Sequence, residues 1–465
     1  MSSVSTFSAA APSGAMRAEI GATLRLAVPL AAANLLQMLV FAIDVIFVAR
    51  LGPEALAAAS LATTVFGLVM WCLIGMTGAC APLIAAELGR RAHAVREIRR
   101  STRMALWLGL AGGFVAMAIF AHGERLLLLA GQDPEVSRYA GRFMEILIWA
   151  ALPNLAAGVL RTVVSALGRP FLATAITALA IVVNGIGNYA FVYGHFGAPA
   201  MGLDGSAVSS VLTACAMCAA YVAAIRIDRR LRRYHLLGRI WRPEWSRLKD
   251  LLRIGVPIAA IILAEGGLFS SAAFLMGLIG PAELAGHTIA LQVAALAFQI
   301  PFGIGQAVTI RVGYHYGAAD RLAIGRSARA ALGLALAYMI LPASLMIFAP
   351  RVVLGFYINL ADPANAAMIG HAVRFLVIAA AFQLFDGAQA VLTGALRGLQ
   401  DTRVPLLVAL AGYWLFGFIT SAALGFLTPL GGLGVWIGLA VGLVVVAALL
   451  GWRWRHRDRL GLLPA

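Results

Sequence analysis

Twelve apolar stretches, each close to the ~20 residues that cross a bilayer as a helix, run through this chain and leave it few possible folds. They fall at 24–48, 60–86, 104–121, 143–165, 171–193, 205–226, 255–279, 286–310, 330–349, 375–396, 404–427 and 434–452. The stretches are rich in Leu, Ala, Gly and Val. They lack the short apolar–polar alternation of a barrel strand, so each is read as an α-helix. Of the 465 residues, 62% are hydrophobic and 12% charged, with a mean hydropathy of +0.89. That is too little charge to cover a soluble globule of this size. The expected class is an all-α integral membrane protein in contact with the lipid bilayer.

A net charge of +16 could suggest nucleic acid, but the positions of the charges argue against such a partner. Of the 36 Lys and Arg residues, 30 fall in the two termini and the loops of one face. The other face holds Arg50, Arg125, Arg138, Arg142, Arg351 and Arg374. This asymmetry is a topology signal, and it predicts both termini in the cytoplasm. The basic loops are expected to contact lipid headgroups. Because Arg greatly outnumbers Lys, a bacterial inner membrane is expected. No cleavable signal peptide is expected, since a charged segment followed by an apolar core is missing from the start. Residues 1–23 are read as a disordered tail. Cys215 and Cys218 form a C-x-x-C inside an apolar span and are read as small buried residues. No metal-hydrolase, phosphate-loop or dinucleotide motif appears, so neither an enzyme nor a cofactor is expected.

The chain repeats. RLAVPLAAANLLQ from Arg25 matches RIGVPIAAIILAE from Arg253, an offset of 228. The same offset pairs Pro29 with Pro257, Gly52-Pro53 with Gly280-Pro281, and Gly75 with Gly303. LRTVVSALGRP from Leu160 pairs with LRGLQDTRVP from Leu396 at an offset near 236. Two six-helix bundles follow, at 24–226 and 253–452, joined by a basic linker at 227–252 and followed by a tail at 453–465. An even number of helices per repeat gives both bundles one orientation. They should be related by a pseudo-twofold axis along the membrane normal, with a cavity between them.

Three acids lie well inside spans: Asp44, Glu265 and Asp386. An ionised carboxylate in hydrocarbon costs at least about 2.5 kcal/mol, so these should face an interior. Asn34, Gln37, Phe41 and Asp44 share one helix face, as do Phe382, Asp386, Gln389 and Thr393. Gln292, Gln299 and Gln306 recur every seven residues, and Thr177, Asn184 and Asn188 line a fourth span. The repeat places Gln37 opposite Glu265, Ala272 opposite Asp44, and a position near Ala150 opposite Asp386. A shared scaffold does not require acids that its sister half lacks, which argues for function. The bland alternatives are a buried acid satisfied by neighbouring polar groups and, for Asp44, a pair with Arg50. No Lys or Arg is expected deep in the spans to neutralise Glu265 or Asp386.

RLAVPLAAANLLQMLVFAIDVIFVARLGPEALAAASLA, GVPIAAIILAEGGLF, TIRVGYHYGAAD and FDGAQAVLTGALRGLQDT resemble the NorM-type branch of the multidrug and toxic compound extrusion (MATE) transporters, over about 24–450. The resemblance implies a secondary active antiporter. It would export small cationic or amphipathic substrates in exchange for a coupling cation, H⁺ or Na⁺. It implies that Asp44, Glu265 and Asp386 are the coupling acids, with Glu265 and Asp386 holding a metal ion only if the ion is Na⁺. Cavity walls are expected from Asn34, Gln37, Phe41, Asn184, Asn188, Phe269, Gln292, Gln299, Phe382 and Gln389. Na⁺-coupled members often carry a Tyr one turn before the third acid; Phe382 has no oxygen there, which shifts the expectation towards H⁺. A monomer is expected. The alternatives are an exporter of one endogenous metabolite on this scaffold and a lipid-linked sugar flippase of the same superfamily. The flippase would want basic residues deep in its cavity.

Overall fold

The structure is a computed structural model and describes residues 12–91 and 93–464. Among the described residues there is no strand, and twelve helices are long and apolar enough to span a membrane. They are α1 Pro12–Ala49, α2 Pro53–Arg90, α3 Ala94–Ala121, α4 Pro134–Ala166, α5 Pro170–Tyr193, α6 Leu203–Ile227, α7 Trp245–Ile279, α8 Pro281–Gly317, α9 Arg321–Phe348, α10 Pro363–Gly398, α11 Arg403–Phe426 and α12 Gly432–Arg455. All twelve predicted spans are present. Proline opens α2, α4, α5 and α8, where its missing N–H is not needed. Gly52, just before α2, has φ of 117°, a conformation that a side chain would strain.

Several spans are irregular. α2 is interrupted at Gly78 and Ala79. α4 passes through a 3₁₀ turn at Ile148–Ala150, and α11 is π-helical over Ala411–Phe418. α1 and α7 continue through Pro29 and Pro257, each of which removes one intrahelical hydrogen bond.

The chain packs as two compact units, one of residues up to Ala31 with Ala260–Ala465, the other Ala32–Ala259. We call these the C-unit and the N-unit. Their boundaries differ from the expected bundles at 24–226 and 253–452. Both breaks fall inside helices, two residues after Pro29 and two after Pro257, and so at equivalent points of the repeat. The expected disordered tail at 1–23 is corrected in part, because Pro12–Thr23 belongs to α1; residues 1–11 lie outside the described residues. The expected linker at 227–252 is partly helical, with Arg229–Arg232 and the start of α7 at Trp245, and it packs within the N-unit. The expected tail at 453–465 begins inside α12.

The reason for the boundaries is chemical. In the C-unit, Glu19 of α1 is buried against the Arg311 guanidinium of α8 and accepts from Ser327 Oγ of α9 at 2.7 Å. In the N-unit, Arg247 of α7 donates to Glu97 Oε2 at 2.5 Å and to Glu87 Oε1 at 3.2 Å. Close backbone approach reinforces both. Gly303 of α8 lies against Ala31, and Gly255 of α7 lies against the Met76 carbonyl, neither with room for a Cβ. The start of each repeat's first helix thus packs on the second and third helices of the other repeat.

Elsewhere, small residues set the packing. Gly394 and Gly398 of α10 meet Gly305 and Thr309 of α8, and Thr309 Oγ1 donates to the Gly394 carbonyl at 2.9 Å. Such spacing lets helix backbones approach where no hydrophobic force favours association over lipid. In the N-unit, Phe66 and Phe120 lie 5.1 Å apart within an Ala- and Leu-rich core. Phe171, Phe274 and Phe348 point outward, which suits a lipid-facing surface.

Candidate functional site

Asp44 sits in the N-unit, three turns from the buried Asn34 along α1. Its Oδ1 accepts from Asn184 Nδ2 at 2.9 Å and Asn188 Nδ2 at 2.8 Å, and its Oδ2 accepts from Ser210 Oγ at 3.2 Å. Asn184 and Asn188 are one turn apart on α5 and fully buried. Ser209 of α6 fixes this pair. Its Oγ donates to the Asn184 carbonyl at 2.9 Å, and Gly187 leaves space for its side chain. The partners of Asp44 are therefore amides and a hydroxyl, rather than Arg50. Asn184 Oδ1 and Asn188 Oδ1 are buried without a donor. The arrangement can hold one negative charge and offers further oxygens beside it.

The C-unit carries the other two acids. Asp386 is buried on α10, and its Oδ1 has no hydrogen-bond partner. Glu265 of α7 lies within electrostatic reach of it, and both carboxylates act on the Tyr413 hydroxyl. Tyr413 is wholly buried in the π-helical stretch of α11 and accepts from Gln389 Nε2. Gln389 Oε1 is left free of donors. Arg397, near the end of α10, acts on Glu265. The expectation that no Lys or Arg lies near these acids is corrected here. This holds for Glu265 alone; Asp386 lies eleven residues from Arg397 along α10, about 16 Å and beyond the reach of its side chain.

The remaining expected residues divide. Phe382 is 2% exposed and stacks on Trp436 at 5.6 Å, and Phe375 stacks on the same indole at 5.6 Å. Gln299 is buried and donates to the Ala295 carbonyl of its own helix at 3.2 Å. Gln292 and Phe41 are exposed, while Gln37 and Phe269 are half-buried. Asn34 accepts from Arg161 at 2.5 Å. The structure thus gathers Asp44, Asn184 and Asn188 at one place, and Glu265, Asp386 and Gln389 at another. It adds Ser210, Tyr413, Arg397 and Arg161, which the sequence reading left out. The four cysteines are free, and Cys215 is exposed rather than buried. Among the described residues, no three His, Cys, Asp or Glu side chains converge on a metal site.

These features define a class: a multi-pass helical membrane protein built on a tandem six-helix repeat, with carboxylates inside both units. Known proteins narrow it. The MatE family model matches residues 29–190 and 257–423, two segments that begin at the repeat prolines. A probable multidrug resistance protein NorM of Mesorhizobium japonicum is 43% identical, over 97% of this chain and 97% of its own. The multidrug resistance protein NorM of Burkholderia vietnamiensis is 38% identical, over 99% of this chain and 98% of its own. Among solved structures, a eukaryotic MATE transporter superposes with a TM-score of 0.85 at 20% identity, covering 97% of this chain and 100% of that one. An outward-facing MATE family transporter gives 0.85 at 21%, covering 99% and 100%. The chain belongs to the MatE family of membrane transporters, on its NorM-type branch, and is not an enzyme.

Proposed function

We propose that the protein is a secondary active multidrug exporter, a cation-coupled antiporter that expels organic cations and amphipathic drugs in exchange for H⁺ or Na⁺. The observation that carries this reading is the pair of buried Asp386 and half-buried Glu265, two carboxylates within electrostatic reach of one another inside a membrane-spanning bundle. A buried carboxylate gains by losing its charge, either to a proton or to a bound cation. An organic cation competes for the same charge, and that competition couples the two fluxes. Asp44, held by Asn184 and Asn188, is a second such group in the N-unit. The names of the NorM relatives support the drug substrates.

The groups around the acids admit either coupling ion. Phe382 offers no oxygen, but Asp386 Oδ1, Gln389 Oε1 and the Tyr413 hydroxyl do, so the residues present fit Na⁺ as well as H⁺. The distribution of Arg and Lys supports both termini in the cytoplasm of a bacterial inner membrane. We propose a monomer. Purified protein in vesicles loaded with a fluorescent cation separates the ions. Efflux driven by a Na⁺ gradient at fixed pH, with none driven by ΔpH, excludes the proton; the converse excludes Na⁺. Asp386→Asn should abolish coupled efflux while the protein still inserts. Retained efflux in that variant removes Asp386 from the mechanism.

A further inference from the structure

The N-unit contains an arginine whose charge no carboxylate meets. Arg161 lies on α4, and its Nη2 donates to Asn34 Oδ1 at 2.5 Å. Its charge also acts on the Tyr221 hydroxyl of α6. No carboxylate pairs with it among the described residues. Tyr221 is 0% exposed and its hydroxyl has no partner; Asn34 Nδ2 is likewise buried and unpartnered. Since the amide oxygen of Asn34 is already taken by Arg161, what these residues still offer is donors: a guanidinium, an O–H and an N–H. Donors beside a half-buried guanidinium that no carboxylate meets suit an anion.

The repeat sharpens this. Arg161 and Arg397 are equivalent at the offset of 236 that aligns LRTVVSALGRP with LRGLQDTRVP. In the C-unit the cation is answered by Glu265. The position equivalent to Glu265 in the N-unit is Gln37. One half has kept the arginine and supplies its anion internally; the other has kept the arginine and supplies none. A lone arginine inside a membrane protein, with no carboxylate of its own, marks a place where the negative charge comes from elsewhere.

We infer that Arg161, Tyr221 and Asn34 form an anion subsite that receives a carboxylate carried by the transported molecule. Asn34 and Asp44 are ten residues apart on α1, about 15 Å along the axis. A substrate carboxylate at Arg161 is therefore read separately from a positive charge at Asp44. This inference rests on the reading of the protein as an exporter.

A matched pair of dyes tests it. Rhodamine 110 carries a free carboxylate, and rhodamine 123 is its methyl ester. With full-length protein in vesicles, Arg161→Gln should raise KM for rhodamine 110 at least about tenfold more than for rhodamine 123, the loss expected of a charge-assisted contact. Arg161→Lys should recover part of the difference. Tyr221→Phe should shift the same ratio in the same direction, and it serves where Arg161→Gln does not fold. Equal changes for both dyes, or no change for either, overturn the subsite. Replacing chloride by isethionate, a bulky anion without a carboxylate, separates the source of the anion. If rhodamine 123 transport depends on chloride, and loses that dependence in Arg161→Gln, the site binds a free inorganic anion and the substrate-carboxylate inference fails. Should the wild-type protein transport neither dye, the exporter reading fails. Fluorescence anisotropy of both dyes on purified protein still decides the subsite, which stands only if Arg161→Gln selectively weakens rhodamine 110.

Discussion

Glu19 and Arg247 occupy equivalent positions of the repeat, 228 residues apart, and carry opposite charges. Each sits near the start of its repeat's first helix, and each docks on the second and third helices of the other repeat. Glu19 meets Arg311 and Ser327, with His315 Nε2 at 3.7 Å; Arg247 meets Glu87 and Glu97. The partner positions correspond as well, since Glu87 and His315 are also 228 apart. The attachment has been kept and its polarity inverted.

Breaking a buried ion pair from one side leaves an uncompensated charge and costs about 3–5 kcal/mol. Glu19→Lys, which places two cations together, should therefore lower the apparent Tm of the detergent-solubilised protein by several degrees. Arg311→Glu in the same chain should restore most of the loss. A double variant no more stable than Glu19→Lys alone would show that the pair does not hold α1 in place. The test reads fluorescence-detected thermal unfolding.

Asn188 donates to Asp44 and packs beside Ser209. Removing one donor to a buried carboxylate costs about 1.5–3 kcal/mol of charge-assisted bonding. Asn188→Leu should reduce drug efflux about tenfold or more in cells overexpressing the protein, at unchanged membrane abundance. Resistance equal to wild type would place Asp44 outside the transport cycle.

Tyr413→Phe removes a single oxygen from the Glu265–Asp386 site and fills nearly the same volume. Expression should be little affected. The coupling-ion concentration that gives half-maximal efflux should rise about tenfold, the effect of one lost hydrogen bond to a charged group. An unaltered ion dependence in vesicles would make Tyr413 a packing residue that only anchors Gln389.

At Gly394, the Gly305 carbonyl of α8 fills the space where a side chain would stand. Gly394→Val forces α8 and α10 apart and breaks the bond from Thr309 to the Gly394 carbonyl. Overpacking of this kind costs about 1–3 kcal/mol. The variant should yield markedly less monodisperse protein on size exclusion. Gly370, near the other end of the same helix and with open space at its Cβ, should tolerate Ala.

The spans, the repeat and the three acids could be read directly, because hydrocarbon exacts a strong periodic pattern and makes each internal charge conspicuous. Helical spacing also joined Asn184 to Asn188 and Asp386 to Gln389. Tyr413 escaped because it lies in AGYWLFGF, an apolar run in which nothing marks a polar role. Its direction is set by the π-helical winding of α11, which a 3.6-residue period does not describe. Arg161 escaped because charge counting assigns basic residues near span ends to loops, whereas α4 continues as helix to Ala166. The unit boundaries escaped for a different reason. A repeat in sequence marks ancestry, and the ion pairs of Glu19 and Arg247 decide which segments pack together.

Those two attachments set an order of assembly. The ribosome delivers the N-unit complete once residue 259 has been made. Glu19 is made before the N-unit, yet its partners Arg311 and Ser327 follow it by 292 and 308 residues. Through most of translation the first turns of α1 carry a carboxylate with no cation to meet it. They must wait at the membrane surface, or in the insertion machinery, until α8 and α9 arrive. The attachment of α1 thus closes only after the whole N-unit has been made.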